Sequence, residues 1–197
     1  MSFVHLHTHS QYSLHDGLGS IEQILDRVSK LNMKAIALTD HDGLYGAIEF
    51  YKKALARGIT PIIGCEIRVK SELLPRQLTH LVLLVQNKTG YSNLCQLISQ
   101  AHLNNPHGIP AIERKTLFDY HEGLIALSGC LQGEIPVLIK QKEYQKAEKA
   151  ALWYKELFIP ENFYLEISFH GLKQEKIINQ YLADMGKKLS IPIIATN

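Results

Sequence analysis

The chain has 197 residues, enough for one substantial hydrophobic core without a second domain. Apolar residues make up 46% and charged residues 20%, which excludes intrinsic disorder, and a formal charge of +2 is too small to predict nucleic-acid binding without a dedicated site. Scattered Cys65, Cys95 and Cys130 form neither a disulfide framework nor a CxxC pair, and neither a signal peptide nor a bilayer-length apolar run is present, so the expectation is a cytoplasmic protein with no membrane partner.

Phe3 to His7 reads as a strand. Ser20 is an N-cap, and Ile21, Ile24, Leu25 and Val28 form the apolar stripe of the helix behind it. Lys34 to Thr39 is a strand, and Tyr45 to Arg57 a helix closed by Gly58. Strands follow at Ile59 to Val69 and His80 to Val85, then a helix at Tyr91 to Leu103 and a loop at Asn104 to Gly108. The rest reads as strand Leu124 to Ser128, helix Tyr144 to Phe158, strand Phe163 to Ile167, helix Gln174 to Leu189 and strand Ile191 to Thr196. Such alternation predicts an α/β fold with a mostly parallel sheet, open or closed into a barrel. In these folds chemistry collects at the carboxyl ends of the strands.

Several side chains fall there. His5, His7 and His9 alternate and point one way on an extended strand, with His5 lying deeper. A lone H-x-H is equally compatible with a plain polar face. Asp40, His41 and Asp42 follow a strand directly: His41 reads as a ligand, Asp40 as the acceptor fixing its tautomer, and Asp42 as an Asx-turn cap. Glu66 interrupts an apolar strand and needs a cation, either a metal or a basic side chain. His80 opens a strand instead of ending one, and so fits the strand-end rule less well. Cys130 follows a strand, although a single such cysteine is as compatible with an inert buried thiol. Cys65 faces away from Glu66 and Cys95 sits on an apolar helix face, so both read as packing. His102, His107 and His121 read as solvated, and His170 as a residue of the site's rim. Together, histidines, a glutamate and a cysteine on successive strands point to a metal cluster.

The stretches His5 to Ser10 (HLHTHS) with Asp16-Gly17, Leu38 to Gly46 (LTDHDGLYG), Gly64-Cys65-Glu66, His80-Leu81, and Leu127 to Leu131 (LSGCL) with Gly133 to Pro136 occur in an order that resembles the polymerase and histidinol phosphatase (PHP) family. More closely, they resemble the N-terminal region of bacterial DNA polymerase III alpha subunits and their error-prone relatives. The resemblance covers nearly all of residues 1–197, taken as a single domain. It implies a distorted (β/α)7-type barrel holding up to three divalent metal ions at its carboxyl-end face. The ligands it implies are His7, His9, Asp16, His41, Glu66, His80 and Cys130, with His15 the alternative to Asp16 and with Asp40 and His41 as the catalytic pair. The family pattern continues into an Asp-x-His pair after a Thr-Asn such as Thr196-Asn197, so a C-terminally truncated piece of a larger polymerase is expected.

Imidazole, carboxylate and thiolate ligands suit zinc, manganese or iron, and the thiolate favours zinc. The activity implied is metal-assisted phosphodiester hydrolysis of the 3′–5′ exonuclease type, with DNA, the rest of the polymerase chain and a proofreading subunit as partners. A stand-alone phosphatase such as histidinol phosphatase and a non-catalytic metal-bound scaffold remain the alternatives.

Overall fold

Ser20 opens the first helix through a reciprocal cap: its hydroxyl accepts from the Gln23 N–H while the Gln23 side chain accepts from the Ser20 N–H. The protein's computed structural model describes residues 3–14, 16–158 and 161–196, so His15 and Asn197 lie outside the described residues. The elements in chain order are α1 (Ile21–Lys30), β1 (Ala35–Leu38), α2 (Ala47–Ala56), β2 (Thr60–Lys70), β3 (Leu78–Val85), α3 (Lys88–Leu103), α4 (Arg114–Asp119), β4 (Leu124–Leu127), α5 (Glu134–Lys140), α6 (Tyr144–Leu157), β5 (Phe163–Ser168), α7 (Lys173–Leu189) and β6 (Ile193–Thr196). No described helix is long and apolar enough to cross a membrane.

The six strands form one curled sheet in the order β1-β2-β3-β4-β5-β6, the sequential winding of a barrel-type fold. The sheet is mostly parallel, as expected, with β3 reversed against both β2 and β4. The reversal follows from length. Only residues 71–77 join β2 to β3, fewer than the dozen or so that a parallel crossover requires.

The expected first strand is not one. Phe3 to His7 meets β1 through a single bridge, His5 to Ile36, and a backbone bond from Ala37 N–H to His5 O at 2.8 Å, and just beyond both segments Thr39 N–H donates to Thr8 O at 2.9 Å. It runs beside β1 without a continuous ladder, so the strict alternation of His5, His7 and His9 does not apply. His5 instead lines a separate cavity with Arg27 and Met33.

Residue parity divides the sheet. Cys65, Ile67, Leu81, Leu83, Ala126, Phe163 and Leu165 point toward the helices and form the main core with Leu94, Leu97, Leu138, Tyr154 and Leu182. A second cluster packs Ile21 and Leu25 of α1 and Phe50 of α2 on Ile36 and Leu38. Each such fully buried side chain contributes about 1.5–3 kcal/mol by leaving water. On the sheet's other face Ala37, Val82, Leu84 and Leu127 pack with Ile62, Ile125, Tyr164 and Ile194. Glu66, His80, Glu166 and Thr196 share the parity of that inner face. It therefore has an apolar floor and, toward the carboxyl ends of the parallel strands, a polar mouth.

Candidate metal centre

Glu66 lies at the centre of the polar mouth, 2% exposed. Its Oε1 is 2.6 Å from His80 Nδ1. Its Oε2 is 3.0 Å from His7 Nε2, 2.9 Å from His9 Nε2 and 3.4 Å from His41 Nδ1. The cation that a buried carboxylate demands is therefore not a lysine or arginine: four imidazoles surround it. Burial alone would raise the Glu66 carboxyl, but its close contacts with the His7, His80 and His9 rings hold it well below the usual carboxylate range. Burial pulls His7 down, and Glu166 and then Glu66 outweigh it, so the ring's pKa rises well above its ordinary value. Burial dominates at His41 and lowers its pKa.

The segment after His9 closes the centre from one side. Asp40 is buried, and its carboxylate accepts from Ser10 N–H at 2.6 Å, Ser10 Oγ at 2.8 Å and Ser13 Oγ at 2.8 Å. Ser13 Oγ in turn accepts from the His41 N–H at 3.1 Å. The role expected for Asp40, fixing the His41 ring, is thus corrected: Asp40 anchors the loop, and the His41 ring meets Asp16 instead, Nε2 to Oδ2 at 2.9 Å. Asp16 also lies 3.4 Å from His9 Nδ1, and its side chain is 55% exposed at the mouth. Asp42 does not cap α2, whose N-cap is Gly46. It adopts a left-handed backbone (φ 52°) and forms an ion pair with Arg68.

All seven candidate ligands line one cavity of about 170 Å³. Six of them fall into three overlapping groups, His7–His9–Glu66, His9–Asp16–His41 and His41–Glu66–His80, within each of which one ligand atom per residue lies within 4.8 Å of the others. Cys130 lines the cavity outside these groups, and burial pushes its thiol up. His80 reaches the mouth because β3 is reversed, which brings the start of that strand to the carboxyl ends of its neighbours.

Of the remaining residues, Cys65 packs in the core as expected, whereas Cys95 is only half-buried. His102, expected to be solvated, sits 2.7 Å from the Asp42 carbonyl through Nε2. His121 bonds the Phe118 carbonyl at 2.7 Å. His170 lines the cavity rim, with its Nδ1 2.8 Å from the buried Glu175.

Gln132, Glu166, Ser168 and Thr196 also line the cavity and were not anticipated. Glu166 had a readable signal: it interrupts the apolar run Phe163–Ser168 just as Glu66 interrupts β2.

The donors fit a divalent metal. Among the described residues, His9 Nδ1 and His41 Nδ1 are buried without a hydrogen-bond partner, a costly arrangement that a bound cation relieves. Imidazole and carboxylate form the donor set of zinc, manganese and iron sites.

Residues 5–170 match the family model described as PHP domain. The chain belongs to the PHP domain family. This PHP domain is 40% identical over its full length to the DNA polymerase III alpha subunit of Treponema pallidum, and 42% identical over 99% of its length to that of Borreliella burgdorferi. It spans about a fifth of those relatives, 18% of each. Among solved structures it superposes on an amidohydrolase from Chromobacterium violaceum, solved with bound sulfate and no metal (TM-score 0.59, 16% identity, 98% of this chain and 86% of the other). A two-domain protein from Bacteroides vulgatus, containing a predicted PHP-like metal-dependent phosphoesterase, matches at TM-score 0.59 and 17% identity, over 98% of this chain and 50% of the other. At those identities the likeness shows the fold alone.

Proposed function

We propose that this PHP domain is the metal-dependent phosphoesterase part of a bacterial DNA polymerase III alpha-type chain and that it hydrolyses phosphodiesters at a 3′ DNA end. The observation that carries this reading is the cavity in which three overlapping ligand groups converge on Glu66.

A bound divalent metal would supply Lewis acidity toward the phosphoryl oxygens and would activate water. His7, His9, Asp16, His41, Glu66 and His80 would hold it, with Cys130 a further candidate whose thiolate would favour zinc over manganese or iron. The chain's own residues prepare the site. Glu66 places a negative charge at the centre of the imidazoles, in surroundings dry enough to strengthen each electrostatic contact. Asp40, through Ser10 and Ser13, fixes the loop that presents His9 and Asp16. The apolar floor beneath keeps bulk water out from below.

A cavity of about 170 Å³ is smaller than the ~300 Å³ at which small-molecule pockets begin, so a phosphoryl group would enter while the rest of the strand stays outside. The chain's charge of +2 then suffices, because the remainder of the polymerase would share the binding of DNA.

The test uses the full-length protein that carries this sequence: metal content by mass spectrometry beside release of nucleotides from a 3′ DNA end. The expected result is metal-dependent release, with His9→Ala abolishing both release and metal. A metal-loaded protein that releases nothing would establish a scaffold, and turnover of small phosphomonoesters without DNA ends would establish a stand-alone type of phosphatase.

A further inference from the structure

Glu166 lies on the inner face of β5, 2% exposed, and lines the same cavity as the candidate ligands. Its Oε1 is 2.7 Å from His7 Nδ1 and accepts from Thr196 Oγ1 at 2.5 Å. Both neighbouring strands hold it. In the β5–β6 register Glu166 pairs with Ile194, which puts Thr196 on the diagonal of the same face. On the other side, the Glu166 N–H donates to Ser128 Oγ at 2.9 Å, just past the end of β4. Two side chains hold the carboxylate through Oε1 and Ser128 holds the backbone beside it, while Oε2 is buried without a hydrogen-bond partner among the described residues.

We infer that Glu166 is a positioning residue of the metal centre, fixing the His7 ring so that Nδ1 carries the proton and Nε2 turns its lone pair toward the cluster. The inference rests on the reading of the cluster as a metal site. A carboxylate can only accept, and Thr196 already donates to the same oxygen, so the His7 Nδ1 at 2.7 Å must be the donor. With Nδ1 held on Glu166, Nε2 is the nitrogen left to bind an ion, and it faces Glu66 Oε2 at 3.0 Å and His9 Nε2 at 3.1 Å. Those three atoms belong to one of the groups that could hold a metal ion, and a cation that they share accounts for their convergence. A carboxylate behind a ligating histidine, on the ring nitrogen away from the ion, sets both the orientation and the basicity of that ligand.

The experiment measures zinc affinity and the number of bound zinc ions in the full-length protein by competition with a chelating dye, together with the melting temperature of the metal-free form. Glu166→Ala is expected to weaken zinc binding about 10- to 100-fold with the ion number unchanged. Glu166→Gln keeps an oxygen that can accept from Nδ1 and is expected to recover most of that affinity. Thr196→Val removes only the second donor to Oε1 and is expected to weaken binding by a smaller factor, which keeps the test open if Glu166→Ala does not fold. Wild-type affinity in Glu166→Ala or in Thr196→Val would overturn the inference. So would loss of a whole zinc equivalent in Glu166→Gln, which would make Glu166 a ligand itself. A wild-type protein that binds no metal would instead sink the underlying metal reading, and this inference with it.

Discussion

Glu66 and His80 meet at 2.6 Å across a diagonal of the β2–β3 pair, in which Arg68 stands opposite His80 and Glu66 opposite Val82. Diagonal neighbours on one face of an antiparallel pair lie within reach of long side chains. The contact exists because β3 runs backward: the second residue after Leu78 is carried to the end of the sheet where β1, β2, β4 and β5 finish. A parallel β3 would have placed His80 at the apolar floor.

The overlap of the three ligand groups predicts unequal effects on metal number. His9, His41 and Glu66 each belong to two groups, and His7, Asp16 and His80 to one. Metal content by mass spectrometry should therefore fall further in Glu66→Ala than in His80→Ala, which should retain ions held by the His7 and His9 groups. Equal losses in the two variants would mean that the groups fill only as a unit.

Asp40 offers a way to disturb the centre without touching a proposed ligand. Asp40→Asn weakens three charge-assisted hydrogen bonds to Ser10 and Ser13, and a loss of about 2 kcal/mol in urea unfolding is expected. Ser13→Ala, which removes the link to the His41 N–H as well as one bond to Asp40, should cost about 1 kcal/mol. Both should also lower metal affinity, because His9 and Asp16 flank the loosened segment.

Much of this was legible in the sequence. The long helices α1, α2, α3, α6 and α7 follow from periodicity, because each buries one face and exposes the other, and the strands follow from short apolar runs, because the sheet is packed on both faces. Helices α4 and α5 escaped. Arg114–Asp119 and Glu134–Lys140 are too short to show a stripe, α5 is buried almost all round, and Pro136 looks like a breaker although it sits harmlessly in the first turn. The ligand candidates were visible as residue types that packing cannot explain. The partner of Asp40 was not, because it depends on how the loop 10–17 folds back, which no local pattern encodes. The turn of β3 was in principle readable from the short 71–77 connection.

A second buried charge pair stands apart from the centre. Arg114 Nη2 lies 2.8 Å from both Glu134 oxygens, Ser71 Oγ also bonds Glu134, and the guanidinium sits 4.4 Å over the Trp153 ring. Arg114→Met would leave Glu134 unpaired in the core, at an expected cost of about 3–5 kcal/mol. The double variant Arg114→Met with Glu134→Leu should regain most of that, and a urea double-mutant cycle measures the difference. A double variant as unstable as the single would locate the cost in lost stacking on Trp153.

Glu175 predicts an acid sensitivity. Burial would raise its carboxyl, but the His170 ring and the backbone N–H groups of Leu172 and His170 bond to it and hold it below the usual range. A carboxyl lowered in the folded state stabilises above its unfolded pKa of about 4.3, and that contribution disappears as pH falls through the folded value. Wild type should therefore exceed Glu175→Gln in stability at about pH 5, with the margin closing as pH falls further. Urea unfolding of both proteins from about pH 5 downward checks it, and a margin that widens there on further acidification would contradict the assignment.

The sharpest steric test lies at Gly17, just after Asp16. A Cβ there would fall 1.7 Å from the Ser10 carbonyl oxygen, a distance no side chain tolerates, while the Gly17 N–H donates to Ser13 O at 2.8 Å. Backbone lies on both sides of the clash, so Gly17→Ala must open the loop, at an expected cost of about 1–3 kcal/mol. Opening it moves Asp16 away from His41 and His9 and spares Glu66, His7 and His80, which are held by β2, β3 and β5. The folded variant should lose the ion held by His9, Asp16 and His41 and keep the others, as metal content against thermal stability would show. Undiminished metal binding in Gly17→Ala would mean that the loop does not shape the centre, and that Asp16 is dispensable as a ligand.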